Sequence, residues 1–263
     1  MSNLPKPDFE RLGPSVGKTV LVVGGCGGIG HAFASAASAL GCKIIIMDLP
    51  EAISRRQHVG GTACIPIDLR DEASIVAAFG ALSETGVTLD YIAVCSGYTK
   101  GHDQVTALDT SRFDDVLSGN LRGPVLAIRE ATPLLANEAA IVFLSTGIGQ
   151  IGAPGYAGYG AAKAGLNAII RILAAELSPG IRVNGVAPGA VDTAFIRGGY
   201  GEGAAETGAP ARFDAEVYNA RVPMGRMALS DDIVGPLLFL LSDAARYITG
   251  QVLHVNGGAF MRD

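Results

Sequence analysis

Tryptophan is absent from this 263-residue chain, charged side chains make up only 17% of it, and no run of lysine or arginine offsets a net charge of -5. A nucleic-acid partner needs concentrated positive charge, so that class of function is not expected. No apolar run reaches the roughly 18 residues needed to cross a bilayer. The first residues, MSNLPKPDFERLGPS, are polar and proline-bearing and lack the apolar core of a secretory signal. Cysteines are few: Cys26, Cys42, Cys64 and Cys95 have no CxxC or other metal-ligand spacing. They read as small packing residues, with redox chemistry the lesser alternative. The expectation is a cytoplasmic protein with no metal, no membrane and no nucleic acid among its partners.

What is abundant is apolar residues (49%) and glycine (36 residues). The first can fill a sizeable core; the second, without a collagen-type period, implies tight turns and close backbone contacts. After a tail over 1–16, one domain is expected over 17–263. Short β-branched runs recur: KTVLVVG (18–24), KIIIMD (43–48), TACIPID (62–68), LDYIAVCSG (89–97), AAIVFLST (139–146), IRVNGVAPG (181–189) and GQVLHVNGG (250–258). Helix patterns fall between them, after the first glycine loop and near 71–84, 109–136, 155–177 and 230–242. Near-continuous apolar strands alternating with helices indicate an α/β fold, a parallel sheet covered on both faces. The glycine-rich stretch over 193–214 follows a strand's carboxyl end, where open α/β sheets bind ligands, and is expected to belong to a substrate lid over about 193–222.

The first strand runs into GGCGGIG (24–30), where Gly24, Gly28 and Gly30 are spaced GxxxGxG. Glycines there let the backbone approach a pyrophosphate, which meets amide N–H groups and the positive end of the next helix. Asp48 ends the second strand 18 residues beyond Gly30. A carboxylate at that distance accepts from both ribose hydroxyls and repels a 2′-phosphate. The loop and the segment DLPEA (48–52) hold no Arg or Lys to neutralise one, so NAD is favoured over NADP. Asp68 either bonds the adenine amino group or is an ordinary turn residue.

In YGAAKAGLNAIIRILAAEL (159–177), Tyr159 and Lys163 stand one turn apart on one helix face. A nearby ammonium stabilises phenolate and is expected to lower the tyrosine pKa, making Tyr159 a proton donor or acceptor near neutral pH. The hydroxyls of Ser145 and Thr146 end a strand joined to this helix by a glycine-rich segment, a placement suited to polarising a carbonyl.

Taken together, GGCGGIG, Asp48, Asn120 in SGNLRG, Ser145–Thr146, Tyr159 with Lys163, NGVAPGAVDT (184–193) and the ending ITGQVLHVNGGAF resemble the short-chain dehydrogenase/reductase family over nearly the whole chain. The resemblance implies a single-domain, doubly wound Rossmann fold with a seven-stranded parallel sheet. It makes Tyr159 the general acid/base, Lys163 its ribose-gripping partner and Asn120 part of a proton relay through water. Gly24, Gly28, Ile29, Gly30, Asp48, Asp68, Leu69, Ser96, Gly97, Tyr159, Lys163, Pro188, Gly189, Val191 and Thr193 are the implied NAD-binding set, with Thr193 on the carboxamide or simply capping a helix. The family's serine stands 13 residues before the tyrosine, which here is Thr146; Ser145 is the alternative, disfavoured because successive strand side chains face opposite ways. Two further departures are Val23 for a threonine and Val94-Cys95-Ser96-Gly97 for Asn-Asn-Ala-Gly.

Substrate-wall candidates are Thr146, Ile148, Gln150, Ile151, Tyr156, Phe195 and Ile196, a mostly apolar set that suits a small secondary alcohol or ketone on a hydrophobic or cyclic skeleton. Arg197, Arg212 and Arg221 read as solvated lid charges unless the lid folds inward. The resemblance also implies a homotetramer. A catalytically silent NAD-binding sensor or scaffold of the same fold is the competing expectation.

Overall fold

The computed structural model describes residues 12–58, 61–100, 102–197 and 213–261. Its centre is a run of strands too apolar to face water on either side. β1 (Thr19–Val23) is buried along its whole length. Pleating sends Leu21 and Val23 into one core and Val20 and Val22 into the other. β2 (Lys43–Asp48), β3 (Ala63–Pro66), β4 (Leu89–Val94), β5 (Leu135–Leu144), β6 (Ile181–Pro188) and β7 (Val252–Val255) complete one sheet in the order β3-β2-β1-β4-β5-β6-β7. All six pairings are parallel. The seven-stranded, doubly wound fold expected from the sequence is what forms. The order reverses between β1 and β4, the crevice where such sheets bind ligands.

One face of the sheet is covered by α3 (Glu72–Glu84), α5 (Gly123–Ala131) and α6 (Ala157–Leu177), through residues such as Phe79, Ile128, Leu166 and Ile170. The other is covered by α1 (Gly28–Ala39) and α8 (Ser230–Leu241), through Phe33, Ala37, Ile233 and Leu237. Among the described residues, no helix is long and apolar enough to cross a membrane. In α6 the buried positions are Tyr159, Ala162, Lys163, Leu166, Asn167, Ile170 and Ala174, a stripe at helical spacing. The stripe's polar members, Tyr159, Lys163 and Asn167, repeat every four residues, and only apolar residues follow them.

Three expectations need correction. The single helix read over 109–136 is divided into α4 (Thr110–Leu117), a π turn over Ser118–Arg122, α5, and a 3₁₀ turn at Thr132–Leu134. Asn120 is the cause. Its Nδ2 donates to the Val116 carbonyl four residues back (2.9 Å) and to the Tyr98 carbonyl (3.0 Å), and its Oδ1 accepts from Tyr98 N–H (3.0 Å). A side chain inserted into the ladder widens it. Second, α2 (Pro50–Arg55) lies where no helix was read; Pro50 starts it favourably, but it buries no residue and so left no apolar period to detect. Third, the lid stretch holds a 3₁₀ turn at Ala194–Arg197 and, after residues outside those described, α7 (Ala215–Arg221), capped by the Asp214 carboxylate. Residues 1–11 of the expected tail, and Arg212, also lie outside the described residues.

Candidate active site

A cleft of about 540 Å³ opens at the reversal point. Gly24, Gly28, Ile29, Gly30, Asp48, Asp68, Leu69, Ser96, Gly97 and Thr193 all line it, as does Phe195. Gly24 has φ +81°, and a Cβ there would meet the Ser96 backbone N at 2.5 Å. At Gly30 a Cβ would stand 2.1 Å from the Gly24 carbonyl oxygen. These two positions therefore hold the loop against the start of α1. The N-cap, Gly27, contributes no side-chain acceptor, so the first-turn amides of α1 face the cleft without side-chain partners. That arrangement suits an anionic pyrophosphate.

At the ribose end, Asp48 accepts from Cys26 N–H and Leu49 N–H, both at 2.8 Å. Burial nevertheless holds its carboxyl above the ordinary aspartate range, with those two bonds opposing. Arg55, on α2, lines the same end, and Arg56 Nε donates to the Cys26 carbonyl at 3.1 Å. Neither arginine was read as part of the site, because each reaches it only once α2 has folded. Asp68 is gripped by Arg70 through a two-pronged bond, Nε to Oδ1 at 2.9 Å and Nη2 to Oδ2 at 2.6 Å. The guanidinium keeps that carboxyl below its usual range. Arg70 and Lys100 also line the cleft, and Asp115 accepts both Lys100 (2.8 Å) and the Tyr98 hydroxyl (2.8 Å). The rim is thus a balanced set of ion pairs.

Neither Tyr159 nor Lys163 of the α6 stripe lines the cleft, but each adjoins a residue that does, Phe195 and Ser96. Lys163, 2% exposed, donates to the Leu144 carbonyl at 2.8 Å and reaches the Ser96 carbonyl at 3.5 Å. No carboxylate pairs with it among the described residues, and burial lowers its pKa to about 8. Its Nζ lies 5.8 Å from the centre of the Tyr159 ring. Tyr159 is 8% exposed, and its hydroxyl finds no hydrogen-bond partner among the described residues. Here the sequence expectation is corrected: burial raises the Tyr159 pKa above the ordinary phenol value instead of Lys163 lowering it. The ammonium is spent on two carbonyls, so the cost of burying a phenolate wins.

Ser145 and Thr146 part company as the pleat requires. The Ser145 hydroxyl donates to Asn167 Oδ1 at 2.5 Å, and both residues are buried. Thr146 is extended, and its Oγ1 accepts only a long 3.4 Å contact from Ile148 N–H. Asn167 was not read as a site residue, although its place four residues beyond Lys163 on one helix face was a usable signal. Phe195 lies against Tyr159, ring centres 5.5 Å apart, with Tyr156 at 6.5 Å and His102 edge-on to Tyr156 at 4.5 Å. Ile148 and Gln150 sit half-buried in the turn after Thr146, outside the cleft lining. Ile151 is 43% exposed and Ile196 is buried. Val191 buries its side chain in the core shared with α1 and α8. Thr193 Oγ1 makes one long contact to the Val191 carbonyl, 3.4 Å. Arg197 pairs with Asp192 and donates to the Thr193 carbonyl at 3.1 Å, both local contacts. Pro188, the last residue of β6, and Gly189 after it lie outside the cleft lining. Among the described residues, no group of three or more His, Cys, Asp or Glu is placed to hold a metal ion.

A family model described as enoyl-(acyl carrier protein) reductase matches residues 24–259. The chain belongs to the short-chain dehydrogenase/reductase family. Relatives span it almost end to end. A 3-oxoacyl-(acyl-carrier-protein) reductase of Staphylococcus aureus is 31% identical over 254 residues, 93% of this chain and 98% of the relative. A 2-(S)-hydroxypropyl-CoM dehydrogenase of Xanthobacter autotrophicus is 31% identical, covering 92% and 96%. An uncharacterized short-chain type dehydrogenase/reductase of Sinorhizobium fredii is 33% identical over 92% of this chain, which spans 43% of that longer protein. Among solved structures, a short-chain dehydrogenase/reductase of Brucella melitensis named for glucose/ribitol dehydrogenase superposes with a TM-score of 0.83 at 25% identity, covering 95% of this chain and 99% of that one. Members of this family are oxidoreductases that use a nicotinamide cofactor, NAD or NADP.

Proposed function

We propose that this chain is an NAD-dependent dehydrogenase/reductase that interconverts a secondary alcohol and a ketone on a small apolar or cyclic substrate. The observation that carries the proposal is the unbonded Tyr159 hydroxyl, on a ring packed against the cleft-lining Phe195, with a buried ammonium one helical turn away. The amides of the glycine loop and the Asp48 carboxylate fit a dinucleotide, and Asp48 supports NAD. The glycine loop and Asp48 would hold a nicotinamide cofactor that would supply the hydride chemistry, taking hydride from the alcohol carbon in its oxidised form or returning it to the carbonyl carbon in its reduced form. Tyr159 moves the proton at the substrate oxygen, taking it from an alcohol or giving it to a carbonyl. Thr146 Oγ orients that oxygen, since Ser145 is committed to Asn167. Lys163 holds the nicotinamide ribose. Asn120 fixes the loop that carries Ser96 and Gly97 and joins the proton relay, while Pro188, Gly189, Val191 and Thr193 wall the nicotinamide. Substrate meets Thr146, Ile148, Gln150, Tyr156 and Phe195.

The two relatives named for a 3-oxoacyl group and a hydroxypropyl group support a ketone–secondary alcohol pair as the reacting unit. The domain over 17–263 works as a cytoplasmic homotetramer. A catalytically silent NAD-binding scaffold is the competing reading, favoured only by the Phe195 ring packed on Tyr159. The test is NADH appearance or loss across a panel of alcohols and ketones, with Tyr159→Phe as control. The Phe variant is expected to bind NADH normally and lose about 10²–10⁴-fold in turnover. Equal turnover by the Phe variant, or NADH binding without turnover by the wild type on any panel member, sinks the catalytic reading.

A further inference from the structure

Beyond β6 the chain passes through Gly189 and Ala190 before it reaches Thr193. Three contacts fix that peptide. Gly189 N–H donates to the Val255 carbonyl at 3.2 Å, and the Ala190 carbonyl accepts from Ala228 N–H at 3.0 Å. The third is different in kind: Ala190 N–H donates to the phenol oxygen of Tyr218 at 2.9 Å. The first two acceptors and donors are main chain close to the sheet. The last is one side chain on α7, a short helix with no buried residue of its own. The same oxygen explains the residue type at 189, where a Cβ would stand 2.8 Å from Tyr218 Oη and 3.2 Å from Asn256 Cα. Tyr218 is aimed by two local devices. The Asp214 carboxylate caps α7 through the Glu216 and Val217 amides at 3.0 Å, and the Phe213 ring lies 5.4 Å from the tyrosine ring.

We propose that Tyr218 is a positioning residue for the nicotinamide-facing wall: its hydroxyl orients the Gly189–Ala190 peptide and makes the grip on the cofactor depend on the seating of α7. The inference rests on the dehydrogenase reading above, which places that wall against nicotinamide. It adds a residue that neither the glycine loop nor the Tyr159–Lys163 pair would suggest. An unmatched amide costs more than a lost neutral bond gains, so the effect belongs in cofactor affinity and in the exposure of that amide.

The test uses the full chain and NADH fluorescence titration. Tyr218→Phe keeps the ring and its Phe213 contact and removes only the acceptor; it is expected to weaken NADH binding about tenfold. KM for NAD should rise similarly while kcat at saturating cofactor changes less than about threefold. Hydrogen exchange at the Ala190 amide, followed without cofactor, should quicken in the same variant. Gly189→Ala should weaken binding strongly in the wild-type background and clearly less in Tyr218→Phe, where the 2.8 Å clash is gone and only the 3.2 Å approach to Asn256 remains. If the wild type binds neither NADH nor NADPH, the cofactor reading falls and this proposal falls with it. If the wild type binds and Tyr218→Phe binds as tightly with unchanged amide exchange, only the Tyr218 proposal is overturned. Independent effects of the two substitutions would overturn it as well.

Discussion

Replacing Lys163 with methionine should make the protein more stable at neutral pH while abolishing turnover. Lys163 is among the largest fully buried side chains, and no carboxylate compensates it among the described residues. Burial brings its pKa from 10.5 to about 8. At 1.36 kcal/mol per unit, that drop is a cost of about 3 kcal/mol for keeping the side chain charged in the fold. Between about pH 8 and 10.5 the folded chain holds fewer protons than the unfolded one, so stability rises with pH through that window. Below pH 8 the cost is present in full. Methionine keeps most of the stem and removes the charge, but leaves the Leu144 carbonyl without its donor, a loss of about 1 kcal/mol. The net expectation is a gain of about 2 kcal/mol at pH 7, or about 5 °C in Tm for a chain of this size. By pH 9.5 the wild type recovers about 2 kcal/mol as Lys163 sheds its proton, and the advantage closes. Chemical denaturation of both proteins at pH 7 and 9.5, at one protein concentration and without cofactor, checks the expectation. A difference between the two that does not change with pH would mean the ammonium carries no burial cost, and the reasoning fails.

Substitutions at three further positions separate roles that the sequence left joined. Thr146→Ser should keep turnover within about tenfold and Thr146→Ala should lose about 10²-fold or more, measured as kcat. Ser145→Ala should instead act on stability, lowering it by about 1–3 kcal/mol in denaturant melts because Asn167 loses its buried donor. At the ribose end, Asp48→Ser removes the charge that repels a 2′-phosphate while Arg55 remains in the cleft. The ratio of kcat/KM for NADPH over NADH is expected to rise at least about tenfold; an unchanged ratio would place selectivity elsewhere.

The strands were legible because burial on both faces leaves runs such as TVLVV and KIIIMD with no polar interruption. The glycine loop and the Tyr159–Lys163 spacing were legible because their geometry is local. What escaped the sequence is what only tertiary contacts decide. The break in the helix over 109–136 comes from Asn120 bonding Tyr98, 22 residues away. Arg55 reaches the cleft on a helix that buries nothing and so has no apolar period. Asp68 was read as an adenine contact or a turn residue, and its partner Arg70 sits only two residues on. The direction of the Tyr159 shift could not be read from spacing, because burial and the aim of the lysine amine decide its sign.

The departures at Val23, Cys95 and Thr146 fit one physical scheme. Val23 is buried, and its carbonyl accepts from Cys95 N–H at 2.7 Å, so β1 and β4 are tied by main chain where side-chain hydroxyls and amides are missing. Ser145 N–H donates to the Val186 carbonyl at 2.7 Å, its hydroxyl is taken by Asn167, and the carbonyl before it is taken by Lys163. The end of β5 is therefore held from α6 at two successive residues, four apart on the helix stripe. Thr146 follows as the first residue whose hydroxyl is not consumed by a strong internal bond. A helix stripe that runs from Tyr159 through Lys163 to Asn167 thus does two jobs with one periodicity: its first member keeps a free phenol, and the next two fix the strand end beside it. This coupling explains why an uncompensated cation is retained in the core, since moving Lys163 would release the Leu144 carbonyl and with it the aim of the residues that follow.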